Sequence, residues 1–324
     1  MEKPLISVIV LNWNGLNVIG DCLMSLREQT FREFEVIVVD NGSTDGSRNF
    51  VIENFPETRS VSLEKNYGFC GGNNHGFKYA KGDFLALLNN DAFADREWLK
   101  ELYNGIISSP AVGFCASKIL FFDSREYIDS AGDGFGICGV GFKRGHRSES
   151  YNFSLSEEVF GACGAGVIFK RAMLEDIGFF DEDLFLIHED VDLSFRARLR
   201  GFKCLFIPSA LIYHKCNETL GRFSDSYVYY GQRNLEIVYL KNMPLKFMIR
   251  YFHHHIFYNF LAFFYFLFKG KGWVFLRAKL DFLRMLPIIL RKRRQIQGSR
   301  VVAEEEIGSL LERRWLRSRL GGKC

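Results

Sequence analysis

The chain has 324 residues, is 48% hydrophobic and 25% charged, and carries a net charge of +4. That suffices to bury one large core or two ordinary ones, and excludes a chain too short or too polar to fold alone. The charge is uneven: residues 241–324 hold 18 Lys+Arg against 5 Asp+Glu, net +13, so the first 240 are at −9. An acidic body speaks against a nuclease, and a basic aromatic end calls for an anionic partner, nucleic acid or membrane. Eight cysteines lie scattered with no CxxC or zinc spacing, as reduced thiols do. The N-terminal MEKPLISVIVLNWNG has an apolar stretch of strand length and no cleavage pattern, so the expectation is a chain that is not exported.

In chain order, 5–11 (LISVIVL) is a continuous β-branched run, as a strand buried on both faces requires. Helical spacing follows over 16–29. A second buried strand, 34–40, ends in Asp40, and Ser43 or Thr44 can cap a helix over 45–54. A short strand at 59–63, a helix at 71–80 after a glycine-rich start, and a strand at 83–88 complete a strand–helix alternation. This pattern predicts a mostly parallel sheet flanked by helices, with ligands beyond the carboxyl ends of its strands. Asn12 and Asn14, Asp40, and Asn89, Asn90 and Asp91 all stand at such ends. A helix at 95–108 and a strand at 112–118 follow. Residues 126–150 read as glycine-rich and irregular, 159–169 as a strand, and the chain from His188 to Gly201 as a helix. Strands at 203–207 and 210–214 and a helix over 225–242 come next.

Several stretches carry chemistry. In VVDNGSTDGS (38–47), Asp40 either belongs to a polar turn or accepts an N–H from a ligand base; a carboxylate only accepts, so it selects a donor edge. In KNYGFCGGNNHG (65–76), Gly71 and Gly72 either make a flexible loop or let backbone N–H groups approach an anion at a helix start. LLNNDA (87–92) is either an Asx-capped turn or a hard-cation site, with Asp91 as ligand and Asn89 or Asn90 on a ribose hydroxyl. Glu189, Asp190 and Asp192, preceded by His188, stand at a helix start; dipole complementarity explains some of this acid, and a general base toward a hydroxyl explains the rest. His214, at a strand end, is structural unless a metal site lies nearby. A formal GxGxxG at 134–139 lacks the strand and helix a dinucleotide site needs.

In this order, VIVLNWNG, VVDNGSTDGS, NYGFCGGNNHG, LLNNDA, GACGAGVIFKRAMLEDIGFFDEDLFLIHEDVDLSFRARLRGF and YHKCNE resemble the family 2 glycosyltransferases of GT-A fold, nearest to bacterial rhamnosyltransferase-like members. The resemblance covers about residues 5–240. It implies an α/β GT-A domain over 1–240, with a nucleotide-sugar part to about 118 and an acceptor part over 119–240. It implies inverting transfer from a nucleotide diphosphate sugar, best guess dTDP-rhamnose, to a lipid-linked or growing glycan acceptor. Asp40 matches the base-binding aspartate and Asn89-Asn90-Asp91 the DXD motif, with Asp91 as main ligand of Mg²⁺ or Mn²⁺. Asp190 matches the catalytic base and His214 a histidine that approaches the metal or diphosphate. Only YYGQRNLEIVY (229–239) stands where processive members carry QxxRW, which argues against a processive synthase. Alternatives are a hexosyl or N-acetylhexosaminyl transferase using a UDP-sugar, and a non-catalytic nucleotide-sugar-binding membrane scaffold. Donor, acceptor, linkage and oligomeric state stay open.

Residues 241–324 form the basic aromatic end. FMIRYFHHHIFYNFLAFFYFLF (247–268) has the length of a membrane span but is interrupted by Arg250, His253–His255 and Asn259. An interfacial or hairpin segment fits better than a span or an oligomer interface. With the amphipathic stretch 273–290 and RKRR at 291–294, it predicts peripheral attachment of 245–294 to the inner leaflet, on the cytoplasmic side. The aromatic run beside RKRR argues against nucleic acid.

Overall fold

A computed structural model describes residues 3–215 and 224–315. The first part alternates as the apolar runs predict: β1 (Ile6–Asn12), α1 (Leu16–Arg27), β2 (Phe34–Asp40), α2 (Ser47–Asn54), β3 (Arg59–Ser62), α3 (Gly68–Phe77), β4 (Phe84–Leu88), β5 (Ala92–Ala94), α4 (Trp98–Ile107) and β6 (Val112–Phe121). β3, β2, β1 and β4 lie side by side in parallel, with Asn12 level with Asp40. Ile6, Val8, Ile9 and Val10 are fully covered because helices pack on both faces. α1 turns Val18, Ile19, Cys22, Leu23 and Leu26 inward, the stripe its 3.6-residue period sets. α2 begins after Gly46 at positive φ, and Asp45, rather than Ser43 or Thr44, holds the Ser47 N–H at its start.

The second part adds β7 (Ile128–Ser130), β8 (Asp133–Gly136), β9 (Gly141–Lys143), β10 (Glu157–Val159), β11 (Gly166–Lys170), α5 (Arg171–Ile177), α6 (Glu189–Leu199) and β12 (Lys203–His214). The main sheet runs β10-β12-β6-β11-β4-β1-β2-β3. β11 and β10 oppose their neighbours, and the other strands of this path share one direction. Three differences from the sequence reading have local causes. The glycine-rich stretch 126–150 contributes three short strands, since its glycines sit in tight packing: a Cβ at Gly134 would meet the Phe142 ring at 2.3 Å. The single strand expected over 159–169 breaks into β10 and the start of β11, where a Cβ at Gly161 would meet Ser194 at 2.5 Å. The two strands expected over 203–214 are one, with a register shift between Ile207 and Leu211 that accommodates Pro208.

The chain ends in α7 (Asp225–Asn242), α8 (Leu245–Phe268), α9 (Gly272–Arg284), α10 (Leu286–Gly298), α11 (Glu304–Leu310) and β13 (Leu311–Glu312). These elements are built into the body. Phe247, Tyr258, Phe266, Phe275, Ile289 and Ile307 belong to the same core cluster as β8, α6 and α7. β13 pairs with β8. Within RKRR, Lys292 bridges Asp181 and Asp183, and Arg293 donates to the carbonyls of Leu240 and Met243. Half of that basic cluster is therefore structural, and Arg291 and Arg294 stay exposed. Among the described residues no helix is long and apolar enough to cross a membrane.

Candidate functional site

Four strand ends supply one side of the site. Asp40 ends β2 almost fully buried; its Oδ2 accepts from the Ser43 N–H, while its Oδ1 is buried with no partner. A carboxylate oxygen in that state costs free energy unless a ligand N–H meets it. Asn12 ends β1 and donates to Ser47 Oγ at 2.8 Å, and Asn90 donates to Asn12 Oδ1 at 2.9 Å. Asn14, at positive φ, accepts from the Thr44 N–H. These bonds brace the loops after β1, β2 and β4 against each other. They also separate the two asparagines after β4: Asn90 serves the Asn12 side, whereas Asn89 Nδ2 lies 3.4 Å from His214 Nε2.

Asp91 and His214 come together because β5 pairs with the end of β12, Ala92 opposite His214. Asp91 Oδ1 lies 3.1 Å from His214 Nε2, and His214 Nδ1 lies 3.0 Å from Asp129 Oδ2. Asp129 also accepts from Lys143 Nζ at 2.7 Å. Burial pushes the Asp129 carboxyl up, but Lys143, His146 and His214 hold it well below the usual carboxylate range. A charged carboxylate on Nδ1 fixes the ring so that Nε2 points at Asp91. Asp129 and Lys143 escaped the sequence reading because they lie in the stretch read as irregular; only their sheet pairing brings them to His214. The remainder of the YHKCNE motif, 216–218, lies outside the described residues.

The acidic helix start divides its residues. Asp190 is partly exposed; its Oδ2 accepts from the Gly164 N–H at 3.2 Å and its Oδ1 from the Val191 N–H at 2.8 Å. Burial raises its pKa, against those two N–H groups and Lys143. Glu189 is buried, its Oε2 has no partner, and burial and the Asp190 charge push its carboxyl well up. Asp192, a secondary candidate from the sequence, faces the interior instead. It is fully buried and tied to Arg196 at 2.9 Å, Lys241 at 2.7 Å and Asn242 at 2.7 Å. Burial pushes its pKa up, and Lys241 and Arg196 bring it below the ordinary value. The 3.6-residue period explains the split: two residues beyond Asp190 points to the other face. His188 is the residue before α6, in the left-handed region.

Shared contacts join these groups around one cleft. Gly164 holds Asp190, and the next residue, Ala165, accepts from the Asn89 N–H. Asn41, after Asp40, donates to the Gly68 carbonyl, and Cys70 N–H donates to the Phe185 carbonyl just before α6. Gly71 and Gly72 sit in the second turn of α3, not at its start. A Cβ at Gly72 would meet Leu11 at 2.4 Å, so close packing on β1 accounts for that glycine. Among the described residues no group of three or more His, Cys, Asp or Glu is placed to hold a metal by itself. A cation here would have Asp91 and His214 and would draw its other ligands from a substrate, as Mg²⁺-type sites with phosphates do.

Comparison with known proteins agrees with this fold. Residues 7–178 match the sequence model of the glycosyl transferase family 2. The O-antigen biosynthesis protein RfbC of Myxococcus xanthus is 28% identical over 240 residues, 69% of this chain and 18% of the relative. A poly-beta-1,6-N-acetyl-D-glucosamine synthase of Staphylococcus aureus is 23% identical over 244 residues, 72% of this chain and 55% of the relative. The chain thus spans well under two thirds of these curated relatives. Among solved structures, GalNAc-T7 with UDP, GalNAc and Mn²⁺ superposes with a TM-score of 0.60 at 16% identity, over 74% of this chain and 48% of that one. S. aureus TarS 1-349 with UDP-GlcNAc superposes with a TM-score of 0.58 at 18% identity, over 98% of this chain and 92% of that one. At such identities these likenesses show the fold, α/β of GT-A type.

Proposed function

The chain belongs to the glycosyl transferase family 2, and from that premise we propose that it transfers a sugar from a nucleotide diphosphate sugar to a hydroxyl of a lipid-linked or growing glycan, with inversion. The observation that carries the proposal is the buried, unpartnered Asp40 Oδ1 at the same strand edge as the Asp91–His214 pair. Asp40 accepts an N–H of the base. Asn90, braced by Asn12, is the asparagine nearer the ribose. Gly72 keeps α3 packed close on β1, and Gly71 keeps it close to Tyr67; both glycines lie on the helix we assign to the donor. Asp91 and His214 fit a divalent cation, Mg²⁺ or Mn²⁺, which when bound neutralises charge on a diphosphate leaving group. Asp190 takes the proton of the acceptor hydroxyl as its oxygen bonds to the anomeric carbon and the diphosphate leaves with the electron pair. Burial raises its pKa, the direction that strengthens a carboxylate as a base.

The donor we favour is dTDP-rhamnose, supported by the motif resemblance and the O-antigen relative. A UDP-sugar is the second reading, favoured by the neighbours solved with UDP or UDP-GlcNAc. A nucleotide-release screen across dTDP-, UDP- and GDP-sugars, with Mg²⁺ or Mn²⁺ and a lipid-linked acceptor extract, tests the assignment. Release from no donor under either metal refutes it.

The same proposal places the enzyme on an anionic membrane surface, at the cytoplasmic leaflet. α8 is about 36 Å long at 1.5 Å per residue, and its outer face leaves Ile249, Phe252, Ile256, Phe260 and Phe268 from 51% to 85% exposed. Trp273 at the start of α9 is 73% exposed, and Arg277 and Arg284 lie on the same helix. Aromatic area beside cations is the two-signal pattern of interfacial binding. Because α8 to α11 are part of the core, point variants serve better than truncation. Phe252→Glu with Phe260→Glu abolishes flotation with anionic liposomes at unchanged thermal stability; equal flotation refutes the attachment.

A further inference from the structure

The chain just before α6 is the most strained segment described. Phe185 has φ 65° and ψ −60°, and the Leu186 N–H donates to the Leu184 carbonyl at 2.8 Å. That is the rare γ-turn with positive φ. Ile187 follows at φ 68° and His188 at φ 72°. A β-branched residue in that region is a genuine outlier. Such strain persists only where neighbours over-determine it.

Here the neighbours are two adjacent residues of α7. Asn234 is fully buried, and its Nδ2 lies 2.8 Å from each of the carbonyls of Leu184, Leu186 and Ile187. Its Oδ1 accepts from Arg233 Nε at 3.0 Å and Nη2 at 2.9 Å, which fixes the amide with its N–H groups toward the turn. Arg233 Nη2 also reaches the carbonyls of Asp183 and Leu184, at 2.7 and 3.1 Å. Tyr230, one turn earlier, stacks on Phe185 at 5.2 Å. From the opposite side the Cys70 N–H holds the Phe185 carbonyl at 3.0 Å, and a Cβ at Gly68 would come within 2.4 Å of that oxygen. The turn is thus clamped between α3, on the donor side, and α7.

We propose that Asn234, oriented by Arg233, is a positioning residue that holds the strained turn 185–188 and so aims Asp190 at the acceptor. Released, the turn relaxes toward negative φ, and the first turn of α6 swings with it. The sequence feature is the QRN of α7, which has no other assignment. The proposal rests on Asp190 being the base, and its test has one arm that does not.

The test compares the full chain with Asn234→Asp, an isosteric change that removes the donors, and with Asn234→Ala. In hydrogen exchange, amides of 184–190 exchange at least about tenfold faster in both variants while β1, β2 and β4 keep their protection. With the donor found by the nucleotide-release screen, turnover falls about 10²-fold at unchanged donor affinity. Ile187→Gly placed in the Asn234→Ala chain restores at least tenfold of the lost turnover, since glycine takes positive φ without strain. Exchange that rises equally throughout the chain, donor affinity that falls with turnover, or absence of glycine rescue overturns the proposal. If the parent turns over no donor, the family reading of the site fails, and the exchange arm alone decides whether Asn234 clamps the turn.

Discussion

Lys241→Met tests whether buried charge couples α6 to the C-terminal helices. Lys241 is 1% exposed, and its Nζ lies between Asp181 and Asp192, 2.7 Å from the latter. Removing it leaves two buried carboxylates facing each other, and breaking a buried pair this way costs about 3–5 kcal/mol. Asp181 keeps Lys292, and Asp192 keeps Arg196 and Asn242, so the lower end applies, about 3 kcal/mol. For a chain of 324 residues, unfolding with about 2.1 cal/mol/K of entropy per residue, that is a fall in Tm of about 4–5 °C. The pH dependence adds a second check. Burial pushes both carboxyls up, but Lys241 brings both below their ordinary values. A depressed carboxyl stabilises the fold above its unfolded pKa of about 4, and that contribution is lost as pH falls through the folded value. The deficit of the variant is therefore full at pH 7 and shrinks as pH falls toward and below about 4, where the variant's carboxyls, relieved of Lys241, protonate before the parent's. Scanning calorimetry and urea unfolding at pH 7 and pH 3.5 measure it. A deficit under 1 kcal/mol at pH 7, or one equal at both pH values, would refute the reasoning.

Further outcomes follow from the site. Asp190→Asn lowers turnover by about 10²–10⁴-fold with donor affinity retained, whereas Glu189→Gln keeps most of the turnover, because burial and the Asp190 charge push the Glu189 carboxyl well up, toward the neutral form that Gln mimics. Stopped assays of both variants decide which carboxylate is the base. The acid limb of the parent's rate lies above the usual carboxylate range, since Asp190 must lose its proton to act and its pKa is raised; a limb near pH 4 would contradict this. Asp129→Asn weakens Mn²⁺ binding by about 10–100-fold in the presence of nucleotide diphosphate, read by calorimetry, with the parent's fold retained by circular dichroism.

Much of the strand edge that carries Asn12, Asp40 and Asp91 was legible in the sequence. LISVIVL and FEVIVVD can only be strands covered on both faces, and a strand buried to its last residue that ends in Asn12 or Asp40 must present that polar group beyond the sheet. LLNNDA follows the same rule, so Asp91 could be named from one dimension. The acids at 189–192 were legible as a group. Their division was not, because it depends on which face of α6 meets Lys241, a residue some fifty positions away.

What the sequence could not determine was every feature made by non-local pairing. Asp129 and Lys143 lie in a glycine-rich stretch with no periodicity, and only the pairing of β7 with β6, and of β12 with β6 and β5, carries a carboxylate to His214. The basic end was read from composition as an attachment, yet composition does not reveal that Phe247, Phe275 and Ile289 enter the shared core or that Lys292 is an internal ion-pair partner. The strained turn before α6 is the sharpest case. Its residues, Phe185, Ile187 and His188, disfavour the backbone they adopt, so local preference points away from it. Long-range hydrogen bonds from Asn234 and Cys70 outweigh that preference, and only the folded chain brings them to the turn.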